Sequence, residues 1–186
     1  MVYISKGIVY KKSSTNNIHV SRCGGKYNLL YYQAQLWLAG RFRLAYAVDY
    51  AGQSKLRELE SMGLVEITEL NKTASYRLLT NCVICKENPV ASFSLLNKSE
   101  KLVWKWIQNV GFKLTISELV YLVEQNIMPG PEFFGEKNWY ALIHAIYTPE
   151  ILFDCILDAK MAESSARNRT VSAVLGLLKK KHIILV

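Results

Sequence analysis

Cysteine and histidine are candidate zinc ligands in this chain, and one pair of cysteines has metal-ligand spacing. Cys82 and Cys85 form a CxxC pair. His19 and Cys23 make a second close pair, and two close pairs are the usual ligand arrangement of a structural zinc site. Against zinc, the residues between the two later cysteines are Val and Ile, and a straight strand would point their thiols to opposite faces. We therefore expect free cysteines and no cofactor. The alternative is a zinc site made by His19, Cys23, Cys82 and Cys85.

The sequence contains none of the short motifs that mark common enzyme classes. There is no Walker A loop, no GxGxxG, no GxSxG and no HExxH. Gly24-Gly25-Lys26 has a glycine pair before a lysine, but it lacks the first glycine and the Ser or Thr of a phosphate-binding loop. His19, His144 and His182 are far apart, and no carboxylate pair lies at a spacing suited to acid–base chemistry. We expect the protein not to be an enzyme.

Length and composition indicate a folded protein. The 186 residues are 51% hydrophobic and 20% charged, enough for one good core or two small ones and unlike a disordered charged tail. No run approaches the roughly 20 apolar residues that span a bilayer. The first ten residues also lack the apolar core of a signal peptide. We expect a soluble, cytoplasmic protein that does not enter a membrane.

Positive charge is concentrated at the two ends of the chain. The net charge is +8, and residues 1–48 contain seven Lys or Arg but no acidic residue. Residues 164–186 contain five more, again without an acid. Such basic surface suits phosphate binding, because each neutralised phosphate releases condensed counterions. The alternative is that the charge only keeps the protein soluble.

The segment from Ser54 to Ile67 has the pattern of a short helix that ends before a strand. Leu56, Leu59 and Met62 form one apolar stripe, and Gly63 can adopt the left-handed conformation of a helix C-terminus. The residues that follow alternate as in a strand. A polar turn at 71–74 and a second apparent strand at 75–84 complete a predicted hairpin.

The residues before this segment are predicted to form two further helices and a hairpin. Residues 28–39 have helical length and end at Gly40, and residues 41–50 are predicted to form a second short helix. Residues 1–23 alternate loosely around the polar stretch 13–17, which indicates a hairpin. Three short helices therefore precede the hairpin at 65–84.

This order of elements resembles that of winged helix-turn-helix DNA-binding proteins, over about residues 27–85. The resemblance implies that residues 52–62 are a recognition helix in the major groove and that the 65–84 hairpin is a wing on the backbone. Glu58 and Glu60 depart from an all-basic helix face, so we place them on its flank. By resemblance, base contacts fall to Gln53, Ser54, Lys55 and Arg57, and phosphate contacts to Arg41, Arg43 and Lys72.

The second half of the chain is predicted to be helical. A linker opens at Asn88-Pro89 and runs to residue 98, and Thr115 with Glu118 forms a capping box. Pro129-Gly130-Pro131 is the strongest break in the chain. The predicted elements are helices at 99–111, 116–125, 138–147, 149–160 and 165–180, and a strand at 182–186.

A faint internal repeat suggests that the two ends of the chain are related. A shift of 119 residues places Leu56 and Leu59 on Leu175 and Leu178, and both copies are an apolar helix followed by a short strand. A second, degenerate winged helix is one interpretation, and a helical oligomerisation domain is the other. In the first, the start of the second recognition helix carries Arg167, Asn168 and Arg169.

Together these patterns predict an α+β, mostly helical protein. We expect an N-terminal winged-helix domain at 1–87, a linker at 88–98 and a C-terminal helical domain at 99–186. The expected function is sequence-specific binding of double-stranded DNA, as a transcriptional regulator that acts as a homodimer or through tandem modules. Two alternatives remain open. One is a plasmid-type replication initiator or other mobile-element protein with tandem winged helices, and the other is a winged-helix protein-interaction adaptor.

Overall fold

The computed structural model of the protein describes residues 1–87, 95–109, 114–133 and 139–186. It is a mixed α+β structure and divides into two compact units. Unit 1 comprises Met1–Cys82 together with Ile184–Val186, and unit 2 comprises Val83–Ile183. The α+β class is thus confirmed. In the part of the chain that the model describes, no helix is both long and apolar enough to cross a membrane.

Unit 1 combines two antiparallel sheets with three helices. Its elements in chain order are β1 (Val2–Ser5), β2 (Ile8–Ser14), β3 (Asn17–Arg22), β4 (Gly25–Leu30), α1 (Tyr31–Gly40), β5 (Ala45–Tyr46), α2 (Tyr50–Ser61), β6 (Val65–Thr68) and α3 (Ala74–Thr80). One sheet has the strand order β5-β1-β6, and the other is the meander β2-β3-β4. The hairpin expected near residues 13–17 is the β2–β3 turn.

The core of unit 1 lies between the meander and the first two helices. The inward residues Ile18, Val20 and Leu29 alternate with half-buried or exposed ones along β3 and β4, as expected for a sheet with one face towards solvent. Trp37 of α1 is fully buried, and its indole N–H donates to the backbone carbonyl of Lys6 at 3.1 Å. Its own carbonyl accepts from the Ser5 hydroxyl at 2.7 Å, so α1 is fixed to β1 by both packing and hydrogen bonds.

The predicted wing hairpin at 65–84 is wrong. Its first strand exists as β6, but β6 pairs with β1, in the register Ser5 to Val65 and Val2 to Thr68. The expected second strand is largely helix α3. An Asn71 side chain that accepts from the Thr73 N–H at 2.9 Å turns the chain. Ala74 and Leu78, four residues apart, then bury one helical face.

The helix predicted at 41–50 is also wrong. The chain bends at residues 41–43 and then forms β5, which pairs with β1 through Tyr3 and Ala45. Its burial alternates with period two: Ala45 and Ala47 are buried, whereas Tyr46 and Val48 are exposed. The small alanines are equally compatible with a helix in the sequence, and pairing with β1 decides between the two forms.

Unit 2 is built from helices. Its elements are β7 (Ile84–Lys86), α4 (Lys98–Asn109), α5 (Ile116–Glu124), α6 (Trp139–Ile146), α7 (Asp154–Ala162) and α8 (Arg167–Lys179), after which β8 (Ile183–Leu185) returns the chain to unit 1. Helix α4 packs on α8, and α5 packs on both α7 and α8. Leu119, Val120 and Leu122 of α5 are all inaccessible, so α5 is the central helix of the unit. Most of the predicted linker, residues 88–94, lies outside the described residues.

The capping box predicted at the start of α5 is confirmed. The Thr115 N–H donates to the Glu118 carboxylate at 2.7 Å, and the Glu118 N–H donates to the Thr115 hydroxyl at 3.3 Å. Burial raises the pKa of Glu118 above its ordinary value of 4.5, more than the hydrogen bonds from Thr115 lower it, and the nearby Asp154 carboxylate adds to the rise. This carboxylate therefore costs stability when it is charged.

Replacing Glu118 with glutamine is expected to flatten the pH dependence of stability. The folded protein holds this proton to a higher pH than the unfolded chain, so the free energy of unfolding falls as pH rises from 4.5 to the raised pKa, and stays lower above it. The glutamine side chain can still accept from Thr115 but never charges. Urea unfolding from about pH 4 to about pH 8 should show a smaller decline for Glu118→Gln than for the wild type. The same change at the exposed Glu163 should leave the decline intact, and an equal effect at both sites would contradict the assignment.

The two segments of the predicted internal repeat have in common only the way in which their helices end. The Leu64 N–H donates to the Leu59 carbonyl at 2.8 Å after Gly63, whose φ is +71°. At the end of α8 the His182 N–H donates to the Leu177 carbonyl at 3.0 Å, after Lys181 with φ +59°. Both are Schellman motifs. The two motifs align Gly63 with Lys181, which is one residue away from the predicted shift of 119. The elements that precede the two motifs differ: unit 1 has two sheets, whereas unit 2 has mainly helices.

Candidate nucleic-acid interface

Helix α2 is held at both ends and along one face. At its start the Asp49 carboxylate accepts from the Gly52 N–H at 3.1 Å, and Asp49 is the N-cap. A side chain at position 52 would meet that carboxylate and the Tyr32 hydroxyl within about 3 Å, so a larger residue there would have to displace these two side-chain ends. The buried face consists of Gly52, Leu56 and Leu59. The opposite face of α2 therefore lies on a helix whose two ends and buried side are fixed.

The outward face of α2, which we define as Tyr50, Gln53, Ser54 and Arg57, carries hydrogen-bonding groups. These residues line a shallow cavity of about 330 Å³ together with Glu58 and Ser61. Ser54 and Arg57 are exposed, and the Gln53 amide donates to the Val48 carbonyl at 3.1 Å, which fixes its orientation. The Arg57 guanidinium forms no ion pair with any residue that the model describes, so all its donors are available.

Lys55 and Glu58, by contrast, compensate each other on the side of the helix. The Lys55 ammonium donates to the two Glu58 oxygens at 2.7 and 2.9 Å, and the Gln33 amide donates to the same carboxylate at 3.0 Å. The hydrogen bond from Lys55 is the largest influence on the Glu58 carboxyl and, with the bond from Gln33, holds its pKa below the ordinary value. Lys55 thus lies on α2 as predicted, but its charge is already neutralised.

Of the three predicted phosphate contacts, Arg43 and Lys72 are exposed and Arg41 is half-buried. The Arg41 guanidinium lies 5.5 Å from the Trp37 ring centroid and 4.7 Å from that of Phe42. Lys72 is in the turn before α3 and not at a hairpin tip. Arg43 opens onto a groove of about 520 Å³ between α1 and β5, lined also by Tyr32, Gln35 and Tyr46.

Exposed tyrosines around α2 were missed by the sequence analysis. Tyr46 is 60% exposed and Tyr50 is 89% exposed, and Tyr32 donates from its hydroxyl to the Asp49 carboxylate at 3.4 Å. Aromatic rings beside cations are a common surface for contacting sugars and bases. The available signal was alternation: Tyr46, Val48 and Tyr50 occur at every second position, and an alanine precedes each of the first two, at 45 and 47. The predicted helix hid this pattern.

The three residues of unit 2 that were predicted to contact DNA have different surroundings. The Arg167 guanidinium folds back, with donors to the Ala162 carbonyl and, at 3.1 Å, to the Asn168 side-chain oxygen. Asn168 is exposed at the start of α8. Arg169 is exposed and lines a cavity with Lys98, a residue that the sequence analysis did not single out. Arg167 and Asn168 therefore contact each other, whereas Arg169 lines a cavity that includes neither of them.

The described residues do not form the zinc site that was the alternative in the sequence. No group of three His, Cys, Asp or Glu residues there could hold a metal, and the four cysteines form no disulfide. His19 packs on the Tyr10 ring with centroids 5.7 Å apart, and Cys23 is exposed. Cys82 is buried and its thiol donates to the Leu78 carbonyl at 3.1 Å, and burial raises the pKa of Cys82 to about 12. Such a thiol is a poor metal ligand at neutral pH.

Comparison with protein-family models, curated proteins and solved structures gave no match for this chain. The chain is an α+β protein with two compact units. A helix of the first unit carries arginine and tyrosine on its outward face.

Proposed function

We propose that the protein binds double-stranded DNA in a sequence-specific manner, as a regulator, with the outward face of α2 in the major groove. The observation that carries this proposal is the uncompensated Arg57 guanidinium, flanked by Gln53 and Ser54, on a helix fixed at both ends. Arginine pairs with guanine edges and glutamine with adenine edges through two hydrogen bonds each. A supported helix holds such donors in place before DNA arrives, so less ordering is needed on binding.

Exposed cations on unit 1 favour an approach to phosphate. Residues 1–48 contain no acid, and Asp49 uses its carboxylate on the helix N-terminus. Arg43 and Lys72 supply exposed cations on the same unit. Lys6 is one of the seven cationic residues in the range 1–48, but it is buried and ion-paired and cannot contact DNA. The proposal needs no wing, because Arg43 and Lys72 take the role of backbone contacts.

The tyrosines add apolar surface to this interface. Tyr50 begins α2 and is almost fully exposed, one turn before Ser54 on the same face. In the groove its ring can pack against a thymine methyl group or a sugar, a contact that excludes water beside the hydrogen bonds. Tyr46 and Arg43 lie in the neighbouring groove and extend the contact surface towards the backbone.

Replacing Arg57 with alanine is expected to weaken binding to the preferred sequence by about 1–3 kcal/mol and to relax selectivity at one base pair. Lys72→Ala should weaken all sequences alike and reduce the salt slope by about one. The matched control is Arg77→Ala, which removes the same charge from the exposed side of α3. Selection from randomised duplexes, followed by fluorescence anisotropy at several salt concentrations, measures these effects.

Two results would sink the proposal. One is the absence of any salt-dependent binding to duplex DNA, which would favour a protein-interaction adaptor instead. The other is an equal loss for Arg57→Ala and Arg77→Ala, which would show that only net charge matters. Selection of a repeated site, in contrast to a single or two-fold site, would point to a replication initiator within the same class.

A further inference from the structure

We propose that unit 2 contains a binding site for a small organic anion with an apolar body. The site is a cavity of about 220 Å³ between the start of α4, the end of α5 and the first turns of α8. A second cavity of about 350 Å³ adjoins it and shares Lys98, Ser99 and Arg169. All the lining residues belong to unit 2, so the site is formed within one compact unit.

The mouth of the cavity is positively charged. Lys98 and Arg169 are both exposed there, and they come from different helices. Neither forms an ion pair with a residue in the described ranges, and none of the described residues that line the cavity is acidic. Two like charges at one opening repel each other, and an anion between them relieves that repulsion. The guanidinium fork of Arg169 is suited to a carboxylate or phosphate.

The nearest buried carboxylate does not cancel these charges. Glu100 is on the same helix as Lys98 but is 4% exposed. Its carboxylate accepts from the Lys180 ammonium at 2.7 Å and from the Asn97 N–H at 2.8 Å. Burial opposes ionisation of Glu100, and these hydrogen bonds outweigh it and hold the pKa of the carboxyl below its ordinary value. Glu100 is thus satisfied by its own partners, and the cations at the mouth stay available.

Apart from Thr170, whose hydroxyl donates to the Ala166 carbonyl at 3.0 Å, the buried residues that line the cavity are apolar. Val103 is 1% exposed and Val123 is 5% exposed, with Leu102 and Ile127 beside them. Met128 is 62% exposed at the rim, where its flexible thioether can close over a ligand. A free inorganic anion would leave these apolar residues without a partner, and a neutral apolar molecule would leave the cations without one. The combination selects a ligand with a charged head and an apolar tail.

The volume limits the ligand to a small molecule. Typical ligand sites occupy about 300–1,000 Å³, and a cavity of about 220 Å³ is smaller than that range. A short-chain carboxylate suits it, whereas a dinucleotide does not. This site does not depend on DNA binding, and its test uses the protein alone.

The experiment compares three probes on the full chain by isothermal titration calorimetry and by thermal unfolding. Hexanoate has both head and tail, acetate has only the head, and hexan-1-ol has only the tail. We expect hexanoate to bind in the millimolar range or better and to raise Tm, and both other probes to bind at least about tenfold more weakly. Lys98→Ala and Arg169→Ala should each weaken hexanoate about tenfold or more, because each removes a charged partner.

Matched controls remove one positive charge elsewhere on the same two helices. Lys101→Ala on α4 and Lys179→Ala on α8 change exposed lysines that do not line the cavity, and both should keep wild-type affinity. Circular dichroism of all four variants establishes that they fold. Equal binding of hexanoate and hexan-1-ol, equal losses in the control variants, or no binding of hexanoate at millimolar concentration would each overturn the proposal.

Discussion

Replacing Glu66 with alanine is expected to lower the free energy of unfolding by about 3–5 kcal/mol, because it leaves a buried charge without its partner. The Lys6 side chain is 3% exposed and is ion-paired with the Glu66 carboxylate. The other acceptor given for its ammonium is the Asn81 carbonyl, at 3.3 Å. A carbonyl dipole compensates an ammonium far less than a carboxylate does, and burial keeps water from replacing the lost partner.

A double replacement separates the cost of an unpaired charge from the worth of the pair. Lys6→Met with Glu66→Leu removes both charges and keeps the volume, so most of the lost stability should return. Glu69→Ala, at an exposed position just after β6, should change stability by less than about 0.5 kcal/mol. Chemical denaturation of the four proteins tests this. A Glu66→Ala protein as stable as the wild type would show that the Lys6 ammonium reaches water.

Truncation of Trp37 to alanine should cost a similar amount, about 3–5 kcal/mol. The indole is fully buried between the sheets and α2 of unit 1, and its N–H is the partner of the Lys6 carbonyl. Removing it leaves a cavity in the core and an unpaired carbonyl, and these two penalties add.

Trp37→Phe distinguishes the two penalties. Phenylalanine keeps much of the volume but cannot donate, so its cost should be clearly smaller than that of alanine, yet above zero. Guanidinium unfolding, followed by far-ultraviolet circular dichroism so that loss of the tryptophan does not affect the signal, gives both values. If alanine and phenylalanine cost the same, the hydrogen bond and not the packed volume fixes α1, contrary to the burial argument.

The parts of the fold that the sequence predicted correctly depend on neighbours in the chain. Gly63 ends α2, and Thr115 with Glu118 starts α5, because the bonds that define these ends span only a few residues. The errors lie where a distant strand decides. The β1 strand pairs with β5 and with β6 across some forty to sixty residues, and no local pattern reveals that pairing. Without knowledge of that pairing, a wing was predicted at 65–84 and a helix at 41–50.

The same division holds for the candidate interface. The resemblance assigned Ser54 and Arg57 to a predicted helix, and the structure places both on the outer side of α2. Availability for binding did not follow from the sequence. Lys55 is paired with Glu58, and Lys6 is inside the core. Charge counts cannot tell a free cation from a compensated one, because that depends on which acids the fold brings near.

The return of the last residues to unit 1 has a consequence for how the protein is made. The Gly7 N–H donates to the Leu185 carbonyl at 2.8 Å, so an early residue and a late one share a bond within unit 1. On the ribosome the whole of unit 2 emerges between these two partners. At about 5–20 residues per second, this delay is on the order of ten seconds. Unit 1 therefore begins to fold first but is completed only after unit 2 has emerged.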